Sequence, residues 1–317
     1  MLLAEYAIDP QALSTWETFR YVADQCGVSK GRLISNFPDN WCREVLKSTD
    51  QCRPVARARI VEKLKQLKNS ALVNLYRDFD LQKNWQTNAL SSHEQMEFRA
   101  IIAKNPQDAL ILDVDLLDES VDAWRVERER AVRRNSGELS AAASYLLMMA
   151  QEVMFVDPYF SAEDRRCRKP IIAFLNNMLF PVRRLECHLS SRTSGSAEHF
   201  KDVLERFIIP DLRRISEWPS EQPFFFIRWN QRQSGDGEAF HPRYILTDKG
   251  GLRFEHGLAE GEDNETTDVS LLDEALYLQR RGQYKPDSTC FQFVDGWCIQ
   301  NGEVSPVAIK DGEWMKD

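Results

Sequence analysis

The strongest constraint on what this chain can fold into is a change of hydrophobic period near Gly137. Before it, apolar residues recur at helical spacing over 12–26, 39–48 and 54–69. After it, helical runs alternate with short strand-like ones. GELSAAASYLLMMAQEV reads as a helix that feeds the buried-strand pattern MFVDPYF, which Asp-Pro ends. KPIIAFLNNMLF is helical, RLECHLSSR alternates like a strand, and 196–215 forms one long amphipathic helix. PFFFIRWN is an aromatic strand, more readily buried than a base-stacking platform. HPRYILTDKGGLRFEHG and CFQFVDGWCIQ each read as a hairpin, turning at Asp-Lys-Gly-Gly and at Asp-Gly.

These runs divide the 317 residues, about twice the usual domain size, into two parts. Residues 1–136 are expected to form a mainly helical N-terminal domain. Residues 137–317 are expected to form an α/β domain with added C-terminal hairpins, α+β overall. Asn135-Ser136-Gly137 supplies the break. The stretch 120–134 reads as a charged helix, five arginines from Arg125 to Arg134 standing against Glu127 and Glu129. A solvated helix with internal pairs is its default, and a phosphate-backbone contact the alternative.

Several classes fall away. No apolar run approaches the ~18 residues of a membrane span, and MLLAEYAIDPQ lacks the basic start of a signal peptide. The seven cysteines are scattered, with no CxxC pair, and His is rare. No metal site, cofactor or disulfide framework is therefore expected, and a reducing cytoplasm fits. Asp113 and Asp115 share a strand face, but no further metal ligand can be assigned to them. The net charge of −8 counts against a uniformly basic nucleic-acid binder. That excess sits in one place: residues 255–274 hold eight acids and no Lys or Arg, and the rest of the chain balances to zero. An acidic loop so close to His241 is expected to guard or gate an anion site there.

Near the N-terminus, FRYVADQCGVSKGRLIS places Ala23, Gly27, Val28, Ser29 and Leu33 at helix-turn-helix spacing, with Lys30 and Arg32 opening a recognition helix. Gly31 weakens such a helix, and two packed helices joined by a glycine turn is the plainer alternative.

The sharpest chemical feature is HPRYILTD, residues 241–248. On a strand, His241 and Arg243 project to the same face. The imidazole could attack phosphorus or donate a proton, and the guanidinium could bind two phosphate oxygens. An exposed strand with a polar face is the alternative.

His-x-Arg-x4-Asp resembles the His-x-Lys-x4-Asp signature of the phospholipase D superfamily. Gly250, Gly251 and Gly257 follow it, MFVDPYF precedes it, and RLECHLSSR ends in Ser190, Ser191 and Arg192. The likeness spans roughly residues 138–300. It is nearest to divergent phospholipase-D-like domains, such as the C-terminal domain of MIT-domain proteins and bacterial relatives linked to phage defence. The resemblance implies a phospholipase-D-like α/β/α domain. It makes His241 and Asp248 the catalytic pair, with Arg243, Thr247, Arg192 and Ser191 binding phosphate. Asp157 and Tyr159 would support the motif.

Two departures follow from the residues. Arg replaces Lys, which is not conservative where geometry is tight. The chain also holds one such motif, since His188 lacks a basic partner at the right spacing, so turnover would need a homodimer pairing two His241 residues. The expectation is a binding or regulatory component of a bacterial anti-phage system that engages phosphodiesters, with nucleic acid and other defence proteins as partners. The alternatives are a metal-independent nuclease acting through a phosphohistidine, and a protein scaffold with a degenerate site. Without an amphipathic anchor helix, no stable membrane association is expected.

Overall fold

The computed structural model describes residues 2–232 and 240–317. The protein is a mixed α/β chain of two compact units, Met1–Arg128 and Glu129–Asp317. The boundary falls before residue 137 because Glu129–Arg133 is already a strand of the second unit's sheet.

The helices expected in the first unit are present, but they pack around a parallel sheet that the helical reading leaves out. The unit runs β1 (Ala4–Ile8), α1 (Trp16–Gln25), β2 (Arg32–Ser35), α2 (Trp41–Ser48), α3 (Pro54–Ser70) and β3 (Leu72–Val73). It continues with α4 (Trp85–Gln95), β4 (Ala100–Ala103) and β5 (Ile111–Asp113). The sheet order is β3-β2-β1-β4-β5, every pair parallel. Tyr6, Ile8, Ile34 and Ile102 meet α1, α2 and α3 on one face, while Ala7, Ile101, Ala103 and Ile111 meet α4 on the other. Strands buried on both faces carry no alternation, so short runs such as RAIIA escape a period-2 search.

The helix-turn-helix expectation fails here. Val28–Lys30 is a single 3-10 turn, and Arg32 opens β2 rather than a recognition helix. The Arg32 guanidinium is buried, bonded to the Trp124 carbonyl at 2.8 Å and to Glu119 at 2.8 Å. The Asp113 carboxylate accepts from the Asp115 amide, and no cluster of metal-ligating side chains occurs among the described residues.

The second unit begins with β6 (Glu129–Arg133), α5 (Ser136–Met149), β7 (Glu152–Val156), α6 (Arg165–Leu175) and β8 (Arg184–Ser190). Then come α7 (Ala197–Val203), α8 (Ile209–Leu212), β9 (Phe224–Gln231), β10 (Arg243–Thr247) and β11 (Gly251–Phe254). It ends with β12 (Thr266–Leu271), α9 (Glu274–Gly282), β13 (Phe291–Gln300), β14 (Glu303–Lys310) and β15 (Glu313–Lys316). One ten-stranded sheet has the order β15-β14-β13-β9-β8-β7-β10-β11-β12-β6. Its centre, β7-β8-β9, is parallel, and the strands on either side are antiparallel.

Three sequence expectations change in this unit. Residues 125–128 have no regular structure and 129–133 form edge strand β6, so there is no arginine-rich helix. The helix expected over 196–215 is broken by a π turn, Leu204–Ile208, immediately before Pro210. Proline lacks an N–H and crowds the carbonyl four residues back, which a wider turn relieves. CFQFVDGWCIQ is not a hairpin but the single strand β13, with a register shift between Phe293 and Asp295. Its Asp-Gly serves packing rather than turning, because a Cβ on Gly296 would stand 3.0 Å from the Phe226 carbonyl oxygen.

A buried ion pair ties the first unit's sheet to the segment after β3. Arg77 donates to Glu5 from Nε at 3.1 Å and from Nη2 at 2.5 Å, its side chain 3% and that of Glu5 0% exposed. Arg77 also donates to the Met96 carbonyl and lies 3.7 Å from the Phe98 ring centroid. Arg77→Met is expected to leave an unpaired carboxylate in the core and to cost about 3–5 kcal/mol, measured by urea unfolding. The double variant Arg77→Met/Glu5→Leu should recover most of that loss.

Candidate functional site

Three parallel strands of the second unit end on one edge of the sheet, where α/β folds gather ligands. β7 runs into Asp157-Pro158-Tyr159, β8 into Ser191-Arg192-Thr193, and β9 ends at Gln231. β10 is antiparallel to β7, Tyr244 pairing with Val156, so the residues just before it arrive at this same edge. Between these ends lies a cavity of about 260 Å³. Tyr159, Phe240 and His241 give it aromatic walls beside Pro158, while Ser190, Arg192, Thr193 and Gln231 supply polar groups.

The segments forming it are held from behind. Asp157 is buried: its Oδ1 accepts from the Tyr159 amide at 3.0 Å and its Oδ2 from the Leu258 amide at 2.9 Å. Burial raises its pKa, against the opposing effect of these amides and of the charges of Arg243 and Arg134. Gly257 closes this corner at φ +95°, where a Cβ would lie 3.2 Å from Asp157 Oδ2. The β8–α7 loop is held by Arg228, whose Nη1 donates to the Gly195 carbonyl at 2.8 Å and to Ser194 Oγ at 3.2 Å. The rest of that guanidinium forms a two-pronged pair with Asp295, 2.5 Å on each arm.

The structure brings together some of the expected site residues and separates others. His241, Arg192 and Tyr159 line the cavity, with the His241 and Tyr159 rings edge to face at 5.5 Å. Ser191 is adjacent but donates its hydroxyl to Asn230 Oδ1 at 2.5 Å and does not line it. Arg243 does not line it either. Its guanidinium lies 4.7 Å from the Tyr159 ring centroid and donates to the Glu255 carbonyl at 3.1 Å. The shared face expected of His241 and Arg243 is lost because the strand starts at Arg243, leaving His241 in the preceding loop.

Thr247 and Asp248 stand at the opposite end of β10, roughly 15 Å along the strand from Arg243. Thr247 Oγ1 accepts from the amides of Lys249 and Gly250, shaping the turn. The Asp248 carboxylate accepts from the amides of Gln151 and Glu152 at 2.8 and 3.1 Å and pairs with Lys249 at 3.1 Å. Burial pushes its pKa up, but the two amides and Lys249 outweigh it and hold the carboxyl below its ordinary value. Asp248 therefore secures the start of β7 and does not join His241 in a catalytic pair. His188 is likewise no partner: fully buried, it bonds Glu186 at 2.9 Å and accepts from the Trp229 indole at 2.9 Å.

The acidic segment does not guard the cavity. Glu260 pairs with Lys169, Glu262 with Arg166 and Glu265 with Arg134. Ser190, Thr193, Gln231 and Phe240 were missed by sequence reasoning, although each lies at or just beyond the end of a strand meeting this edge.

Comparison with family models, curated proteins and solved structures finds no match. The chemistry of the site therefore rests on its own geometry. Among the described residues no carboxylate lines the cavity, and neither Arg192 nor Arg232 has an ion-pair partner. No side chain among the described residues hydrogen-bonds His241 to set its tautomer. Such a site can hold an anion by charge and hydrogen bonds, and its described residues include no base-and-orienter pair of the kind that activates a nucleophile.

Asp248→Asn tests the reassignment of Asp248. Its depressed pKa makes its stabilising contribution present above about pH 4, the unfolded value, and lost as pH falls through the lower folded value. The variant is expected to lose stability at neutral pH, to show a flatter stability profile below pH 4, and to bind anions like the wild type. Thermal melts across pH together with a phosphate titration would show this. Loss of anion binding in a folded variant would return Asp248 to the site.

Proposed function

We propose that the second unit is a phosphodiester-engaging module of phospholipase-D-like character, working by binding rather than turnover. The single observation that carries this is Arg192, a guanidinium with no carboxylate partner among the described residues, on a cavity that no described acid lines. An arginine so placed offers two parallel donors to phosphate oxygens. Ser190 adds a hydroxyl, and His241 adds a ring nitrogen that can hydrogen-bond a phosphate oxygen. The motif likeness to divergent phospholipase-D-like proteins favours nucleic acid as the phosphodiester and a bacterial conflict system, with other defence proteins, as the setting. No helix among the described residues is long and apolar enough to cross a membrane.

Two observations weigh against hydrolysis within one subunit: among the described residues the cavity brings neither a second histidine nor a carboxylate to His241, and Asp248 lies at the far end of β10. Hydrolysis through a phosphohistidine would need a second copy to present its own His241.

Binding of labelled DNA and RNA by fluorescence anisotropy, with the salt concentration stated, tests the proposal. Arg192→Ala is expected to weaken binding by about 10- to 100-fold, the loss of one charge-assisted contact, with the fold intact. Equal affinity for wild type and variant would remove the site. Cleavage of either nucleic acid in EDTA, abolished by His241→Ala, would replace the binding proposal with the nuclease.

A further inference from the structure

We infer that the cavity takes one unpaired nucleotide, its base against Tyr159 and Phe240 and its phosphate on Arg192; this rests on the proposed phosphodiester site. The lining divides by chemistry. Among the described residues its apolar side is made of rings and Pro158, with no Leu, Ile, Val or Met. An acyl chain is solvated by aliphatic side chains, whereas a base is recognised by flat π faces. Among the described residues its polar side carries one fixed charge, Arg192.

The rings are fixed in place before any ligand arrives. Tyr159 is 48% exposed, yet its ring is braced by Arg243 at 4.7 Å and by the edge-on His241 ring at 5.5 Å. Phe240 packs on Phe291 at 4.9 Å and on Tyr284 at 6.0 Å. Rings held by neighbours lose little freedom on binding, which favours stacking. Gln231 presents a donor and an acceptor at the cavity, and its side chain has no hydrogen-bond partner among the described residues. That pairing of functions suits the edge of a base, which a duplex keeps occupied. A space of about 260 Å³ is below the range of drug-sized pockets, which begins near roughly 300 Å³, and it suits a single nucleotide unit. Tyr159 and Phe240 thus act as specificity determinants that separate a base-bearing phosphodiester from a lipid headgroup.

The test uses the full chain and three probes: a short labelled oligothymidylate, an abasic oligomer of the same length and charge, and the oligothymidylate paired in a duplex. The unpaired oligothymidylate is expected to bind roughly 5- to 150-fold tighter than the abasic oligomer, the worth of one stacked base. The duplex should bind like the abasic oligomer. Tyr159→Ala and, separately, Phe240→Ala should erase that difference, while Tyr159→Phe keeps it. Because Phe240 is packed, melting curves accompany each variant, and the comparison of probes on wild type stands whatever the variants do. If oligothymidylate and abasic oligomer bind alike, both weakened by Arg192→Ala, the nucleotide inference falls and phosphate binding stands. If Arg192→Ala changes neither probe, the underlying phosphodiester site falls as well. Binding to phosphatidylserine vesicles with no affinity for any oligomer would overturn the inference in favour of a lipid headgroup.

Discussion

The candidate site depends on one ion pair, buried Arg228 with half-buried Asp295. Arg228 stands on β9 in the parallel centre of the sheet, and Asp295 stands at the register shift of neighbouring β13. Two short hydrogen bonds join them, and the third nitrogen of the fork turns to the β8–α7 loop. The Phe200 ring of α7 lies 5.2 Å from the same guanidinium. One side chain thereby joins two strands, a loop and a helix, and that loop carries Ser190, Arg192 and Thr193 to the cavity. Desolvating an arginine is costly unless its donors are met, so the loop must keep its shape for Arg228 to stay buried. This coupling pre-organises Arg192: a loop that is already ordered gives up little entropy when an anion arrives.

The other face of the sheet has a polar chain of its own. Glu186 and His188 on β8 point into a core that includes Trp229, Tyr284 and Phe291. The Trp229 indole can only donate, so Nδ1 of His188 accepts from it, which leaves Nε2 to carry the proton toward Glu186. The two histidines near the cavity therefore differ in kind. His188 is locked in a satisfied network, while His241 is exposed beside Tyr159, its nitrogens without a hydrogen-bond partner among the described residues. This contrast separates a core histidine from a candidate ligand-binding one, and spacing in the sequence does not reveal it.

Most elements of the second unit were legible because their periods are strong: the 136–149 helix, the strands before Asp157 and after Arg184, and the Asp-Lys-Gly-Gly hairpin all formed. What failed has a physical reason in each case. β1 and β4 are covered on both faces and so lack alternation, which hid a parallel sheet among amphipathic helices. Glu129–Arg133 is an edge strand with four of five residues exposed, and its charges imitate a solvated helix. Asp295-Gly296 resembles a hairpin turn, but it serves a buried arginine and a close backbone approach. At the site, the eight-residue motif supplied only His241 to the cavity. The rest of the lining comes from the ends of other strands, which only the order of the sheet brings together.

That difference also resolves the chain's electrostatics. A net charge of −8 suggests a surface hostile to phosphates, and the excess acid follows the motif directly. Folding gives three of those acids partners: Arg134, Arg166 and Lys169 reach Glu265, Glu262 and Glu260 from the end of β6 and from α6. Glu260 illustrates the effect. Burial alone would raise its pKa, but Lys169 and the Ser136 amide outweigh that and keep the carboxyl ionised below its ordinary range. Three acids of the segment, Glu260, Glu262 and Glu265, thus act as a clasp for the β6–α5 corner, each paired at short range. Over a Debye length of about 8 Å at physiological salt, the arginines nearest the cavity decide the local potential. Two of them, Arg192 and Arg232, have no ion-pair partner among the described residues. A protein acidic in total can therefore hold a site that attracts anions, because attraction at contact depends on which charges are left unpaired and not on their sum.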